Sequence, residues 1–187
     1  MAILASGPSL TQEDVNHARG KAKVIAINNC YILAPWAHML YACDYRWWRH
    51  YRPEFYGLKV CPHLGAAKEF GLIYIEGKAK SGLSLTKDCI HYGGNSGFQA
   101  LNIAVLAGAK RIILLGFDMQ PDGSGRMHWH PDHTRIGNPQ RNSFSRWLRA
   151  FHEAAPQLTQ LGVEVLNCSR QTALDVFPRV ALEDALP

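Results

Sequence analysis

Seven short apolar runs recur along this chain: AILAS (2–6), KVIAIN (23–28), HMLYACD (38–44), LKVCP (58–62), LIYIE (72–76), RIILLGFD (111–118) and VEVLNC (163–168). Runs this short, closed by Gly, Pro, Asn or Asp, read as strands buried on both faces. Helical patterns separate several of them. The clearest is Asn95–Ala107, NSGFQALNIAVLA, where Phe98, Leu101, Ala104 and Val105 recur at helical spacing and Gly108 supplies a stop. A second runs from about Ser143 to Leu161, with Phe144, Trp147, Leu148, Phe151 and Leu158 on or near one face. Strands that alternate with helices predict an α/β fold, a mostly parallel sheet flanked by helices.

Composition bounds the rest. A chain of 187 residues with 47% hydrophobic content fills one core, which predicts a single domain over 1–187. No stretch approaches the roughly 20 uninterrupted apolar residues of a membrane span, and no basic-then-apolar leader opens the chain, so the expectation is a soluble, cytoplasmic protein without membrane contact. Five cysteines, Cys30, Cys43, Cys61, Cys89 and Cys168, are odd in number and contain no CxxC pair, which argues against a disulfide framework or a zinc knuckle. The formal charge of +5 suits nucleic acid or a small phosphorylated ligand. Apart from Arg46, Arg49 and Arg52 around Trp47 and Trp48, the basic residues are scattered, and the lack of a basic stripe argues against nucleic acid. The two tryptophans read as packing anchors, of which one can still line a pocket.

In an open parallel sheet, ligands bind outside the carboxyl ends of the strands. The residues that close these strands are Ser6, Gly7, Pro8 and Ser9 after the first, Asn28 and Asn29 after the second, Asp44 after the third and Asp118 after RIILLGFD. The GGNSG turn (93–97) adds another helix start. The SGPSL turn is neither a P-loop nor the GxGxxG fingerprint. Ser9 with Gln12, or Thr11 with Asp14, can cap a helix there, whose free N–H groups then face the turn and attract anions. A single Asp or Asn after a strand commonly does no more than cap a turn. Two glycine-bearing helix starts and two carboxylates, Asp44 and Asp118, on one edge match what a nucleotide with a divalent cation requires.

The interval Gln120–Asn142 is long and polar, as functional loops often are. It holds the densest ionisable cluster, His128-Trp129-His130-Pro131-Asp132-His133. Neutral imidazole suits general-base chemistry and, with carboxylate, a transition metal. The HxHxxH spacing matches no established zinc signature. Three readings stand together: a catalytic or substrate-contacting histidine, a metal site, and a solvated loop.

The set GPSL, the strand-end Asn, NSG opening a helix, LLGFD and a loop histidine resembles the family 42 bacterial sialyltransferases and their relatives. GPSL and the two strand-end aspartates are also similar to the archaeal-type 6-hydroxymethylpterin diphosphokinases. The patterns WxxxLYACDxRWW, GGNSG, LLGFDM and HWHPDH resemble most a branch of short phage and prophage proteins. The resemblance spans most of residues 1–175 and implies a Rossmann-like fold. On the sialyltransferase pattern, Ser6–Ser9 and Asn28 contact a cytidine nucleotide, and Asn95, Ser96 and Gly97 lie near its phosphate or sugar. His133 is then the general base, with Asp118 grouped beside it. On the diphosphokinase pattern, Asp44 and Asp118 hold magnesium for ATP. Two departures stand out: Ser6 occupies a position where the sialyltransferases prefer Asn, and no tyrosine follows Asp118.

Three functions follow. The first is glycosyltransferase-like group transfer from a nucleotide-activated donor, such as a nucleotide sugar. The second is magnesium-dependent pyrophosphoryl transfer from ATP. The third is a phage-associated nucleotide-binding module without catalysis. Metal dependence separates the first two, and turnover separates both from the third. The expected partner is a small nucleotide ligand, and a homo-oligomer is compatible with the sequence.

Overall fold

A computed structural model describes residues 1–187, apart from the side chain of Arg141. In chain order the elements are β1 (Ala2–Leu4), α1 (Gln12–Ala18), β2 (Val24–Ile27), α2 (Cys30–Leu33), β3 (Met39–Tyr41), α3 (Tyr45–Tyr51), β4 (Leu58–Cys61) and α4 (Leu64–Phe70). They continue with β5 (Ile73–Tyr74), β6 (Glu76–Lys78), β7 (Cys89–His91), α5 (Ser96–Leu106), β8 (Arg111–Leu115), α6 (Arg141–Gln160), β9 (Glu164–Asn167) and α7 (Leu182–Ala185). Seven strands form one parallel sheet in the order β5-β4-β3-β2-β1-β8-β9. Each predicted apolar run contributes one of them.

Burial on both faces explains why the strands read as continuous apolar runs rather than alternating ones. Successive residues point to opposite layers. Ala2 and Leu4 of β1, and Ile113 and Leu115 of β8, pack with Val15 of α1, Trp47 and Trp48 of α3, Ala66 of α4 and Leu182 of α7. Ile3, Ile112 and Leu114 pack on the other face with Phe98 and Leu101 of α5 and Phe151 of α6. The result is a three-layer, Rossmann-like α/β domain. Among the described residues, no helix is long and apolar enough to cross a membrane.

The chain winds outward from β1 to β5, then returns to lay β8 on the other side of β1. The strand order therefore reverses between β1 and β8, and a crevice opens there at the carboxyl ends.

One predicted strand divides. LIYIE (72–76) is read from sequence as a single unit, yet only Ile73–Tyr74 joins the main sheet, at its edge. Ile75 N–H still donates to Cys61 O, but Glu76 N–H turns to Asp88 O, and β6 pairs with β7 in a separate two-stranded parallel sheet. The strand β7 is only three residues long and carries too little pattern to be seen in the sequence. The buried Asn102 of α5 holds this unit, accepting from Ser84 N–H and His91 N–H and donating to Ser84 O.

Candidate functional site

A cleft of about 370 Å³ opens at the carboxyl ends of β1, β2, β3 and β8. It gathers Ser6, Gly7, Asn28, Asp44 and Asp118 on the sheet side, Asn95, Ser96 and Gly97 opposite, and His133 from the long loop. Pro8 and Ser9 do not line it.

The SGPSL turn is tied to β8 rather than open to a ligand. Gly7 N–H donates to Gly116 O (2.9 Å), and Leu10 N–H donates to Gly7 O (3.1 Å). Ser9 N–H and Ser9 Oγ–H donate to the two carboxylate oxygens of Asp118, each at 2.8 Å. A Cβ on Gly7 would collide with Asp118 Oδ1 and Gly116 O, so only glycine permits this approach. The backbone donors of Gly7, Ser9 and Leu10 in this turn are thus used within the protein. The cap on α1 is Thr11 with Asp14, a reciprocal capping box, and Ser9 takes no part in it.

Burial pushes the Asp118 carboxyl up to about 6, against the opposing pull of the two Ser9 hydrogen bonds. The exposed Asp44, by contrast, makes no side-chain cap on α3. Both oxygens of Asp118 accept from Ser9, which fixes the orientation of this carboxylate at the cleft. Among the described residues no group of three or more His, Cys, Asp or Glu side chains is placed to hold a metal ion. That includes the three histidines of the loop.

The opposite wall is the start of α5. Asn95 caps the helix by accepting from Phe98 N–H at 2.9 Å. The amides of Ser96 and Gly97 precede the first intrahelical bonds and have no acceptor among the described residues. They form the positive end of an eleven-residue helix directed at the cleft. A Cβ on Gly97 would lie 2.8 Å from the Phe117 ring, so this helix start is packed tightly against the end of β8. Ser96 Oγ–H donates to Cys43 Sγ (3.2 Å). Burial, reinforced by Asp44, pushes the Cys43 thiol up to about 12, which removes it as a nucleophile near neutral pH.

Two non-glycine residues in the cleft have left-handed backbones, Asn28 (φ 49°) and Met119 (φ 52°). Asparagine tolerates this region; for methionine it costs about 1–2 kcal/mol. Strain of this kind is concentrated at ligand sites. Nothing in the sequence of Met119 marks it, since φ is imposed by the turn that follows β8.

The loop places its histidines beside one another. His128 and His130 stack with centroids 4.7 Å apart, and His133 lies 4.9 Å from His130. Trp129 N–H donates to Ser6 O at 3.2 Å and holds the loop against the β1 turn. Asn138 clamps the His133 backbone, accepting from its N–H and donating to its carbonyl. His133 Nδ1 lies 2.5 Å from Tyr51 Oη, at the end of α3. Burial lowers all three imidazoles, His128 to about 4, and their mutual repulsion adds to the effect on His128 and His133. All three are neutral at pH 7.

Sequence reasoning did not single out Tyr51. Its spacing of four from Trp47 places it on the same side of α3, which is the available signal. Trp47 and Trp48 are both buried anchors, donating to Asn29 Oδ1 (2.8 Å) and Ala42 O (2.9 Å), and Trp47 also lines the cleft. From the sequence Trp147 reads only as part of a helix face. It too lines the cleft, and its buried indole Nε1–H has no acceptor among the described residues. Comparison of the chain with protein-family models, curated proteins and solved structures finds no match.

Proposed function

We propose that the cleft binds a nucleotide-activated donor and that the protein transfers a group from it to an acceptor hydroxyl, in the manner of a glycosyltransferase. The observation that carries this reading is that the unengaged amides of Ser96 and Gly97 and the neutral His133 share one cleft at the strand-order reversal. The amides suit a phosphate, and the positive helix end stabilises the charge that develops as it departs. Trp147 Nε1–H supplies a further donor on this wall.

His133 acts as general base. For Nε2 to be free to take a proton, Nδ1 carries the ring proton and donates it to Tyr51 Oη. The acceptor oxygen forms a bond to the transferred group as its proton passes to Nε2. The bond from that group to the donor phosphate breaks, and its electron pair leaves on the phosphate oxygen. The resemblance to the family 42 sialyltransferases supports this assignment of His133 and favours a pyrimidine nucleotide. The alternative, magnesium-dependent pyrophosphoryl transfer, asks Asp44 and Asp118 to share an ion, and among the described residues no third His, Cys, Asp or Glu side chain is grouped with them.

The test is a thermal-shift panel of CMP, CDP, UDP, ATP, NAD and nucleotide sugars, with and without magnesium. A ligand that binds only the native state raises its melting temperature by mass action. A selective rise with a pyrimidine nucleotide, independent of magnesium, is expected. A rise confined to ATP with magnesium favours the diphosphokinase reading, and no rise with any nucleotide removes the proposal. Nucleotide binding without turnover leaves the non-catalytic module.

A further inference from the structure

The charge of this protein is placed unevenly. Residues 44–52 and 120–149 carry eight arginines against three carboxylates, Asp44, Asp122 and Asp132. Their net charge equals the +5 of the whole chain, so the remainder is balanced. The two segments contain no lysine; all eight lysines lie elsewhere. Far apart in sequence, these segments meet in the fold. The hydrogen bond between Tyr51 and His133 joins α3 to the loop. Arg146 of α6 reaches the cleft wall, its Nε 3.2 Å from where a Cβ on Gly94 would stand. Arg135 lies next to Ile136, which lines the cleft.

From this we infer that the mouth of the cleft binds a single-stranded nucleic acid through its phosphodiester backbone. Arg46, Arg49, Arg135, Arg146 and Arg149 are exposed, and none is ion-paired among the described residues. Unpaired guanidinium forks match phosphate geometry and also stack on bases, which ammonium groups do not. Half-buried rings line the cleft, Trp147 beside Arg146 at Gly94 and His133 on the loop, and aromatic rings beside a positively charged groove are the pattern of single-strand binders. A duplex is disfavoured, because a base within the stack cannot enter a cleft of this kind. The inference deepens the proposed function by naming the acceptor class, and rests on that reading only for the acceptor role; the binding itself stands on the arginines.

The experiment is fluorescence anisotropy with short labelled single-stranded DNA and RNA oligonucleotides over a range of salt concentrations. Binding to at least one is expected, with the logarithm of the affinity falling by about 0.7 per phosphate contacted for each logarithm of salt. The triple variant Arg46→Gln/Arg135→Gln/Arg146→Gln takes one arginine each from α3, the long loop and α6. It should lower the slope by about 2 and the affinity by at least about tenfold. The variant Lys21→Gln/Lys23→Gln/Lys110→Gln removes equal charge near the amino ends of β2 and β8, and should bind as the parent does. Absence of binding at low salt overturns the inference, as does equal loss in the lysine variant. Tighter binding of a sulfated glycan than of either oligonucleotide would assign the surface to a glycan and overturn it too. Nucleotide binding without strand binding removes this inference alone, and strand binding without nucleotide binding removes the proposed function alone.

Discussion

Tyr51 Oη stands 2.5 Å from His133 Nδ1, so the last residue of α3 orients an imidazole contributed by a loop more than 80 positions later. The contact decides which ring nitrogen faces the cleft and which proton it carries. Tyr51→Phe is expected to change the tautomer of His133, read from its imidazole nitrogen chemical shifts, while nucleotide affinity stays near the parent value. An unchanged spectrum would remove Tyr51 as a positioning residue.

His133→Ala should lower turnover by about 10²- to 10⁴-fold, the range of general-base catalysis, with little change in donor affinity. Donor binding by calorimetry and turnover are measured on the same variant. Normal turnover would take His133 out of the mechanism. Loss of donor binding would make the loop a clamp on the ligand.

The β1 turn depends on the absence of a side chain at Gly7. Gly7→Ala places a methyl against Asp118 and Gly116, and overpacking of this kind costs about 1–3 kcal/mol. Urea denaturation should show that loss. A neutral result would mean that β1 and β8 part readily, contrary to the Gly7–Gly116 hydrogen bond.

The cap on α5 has a separable cost. Asn95→Ala removes the acceptor for Phe98 N–H and should destabilise the protein by about 1 kcal/mol. It should also weaken nucleotide binding, because the first turn of α5 then frays. Loss of stability with unchanged binding would detach α5 from the ligand.

Stability should fall as pH drops from about 6.5 towards 4. In the unfolded chain the loop histidines take up protons near 6.5, whereas folding holds His128 down at about 4 and lowers His130 and His133. Their stabilising effect is full above 6.5 and is lost as pH falls through the folded values. Asp118 acts in the opposite sense: raised to about 6, it favours the folded state below that value and penalises it above. Three histidines outweigh one carboxylate, so the denaturation midpoint should be lower at pH 5 than at pH 7.5. His128→Gln should narrow the gap, and an unchanged gap would exclude His128 as a source.

The α/β architecture was legible because strands buried on both faces must be short and continuously apolar, and all seven such runs joined one sheet. The two long helices followed from their spacing, and the α1 cap resolved to one of the two pairs that the sequence offers, Thr11 with Asp14. These are local properties, set by residues within a few positions of each other. The strand-end rule similarly brought Gly7, Asn28, Asp44 and Asp118 to one cleft.

Partners distant in sequence were decided by the tertiary structure alone. Whether Asp118 serves a ligand or a turn depends on Ser9, 109 positions earlier, and on burial that no single stretch reveals. The same holds for the pairing of Tyr51 with His133, for the left-handed backbone of Met119, and for arginines that are scattered along the chain but belong to segments meeting at one cleft mouth. Periodicity records which side of an element is buried. It carries no information about which distant atom comes to lie against it, because the packing of whole layers determines that.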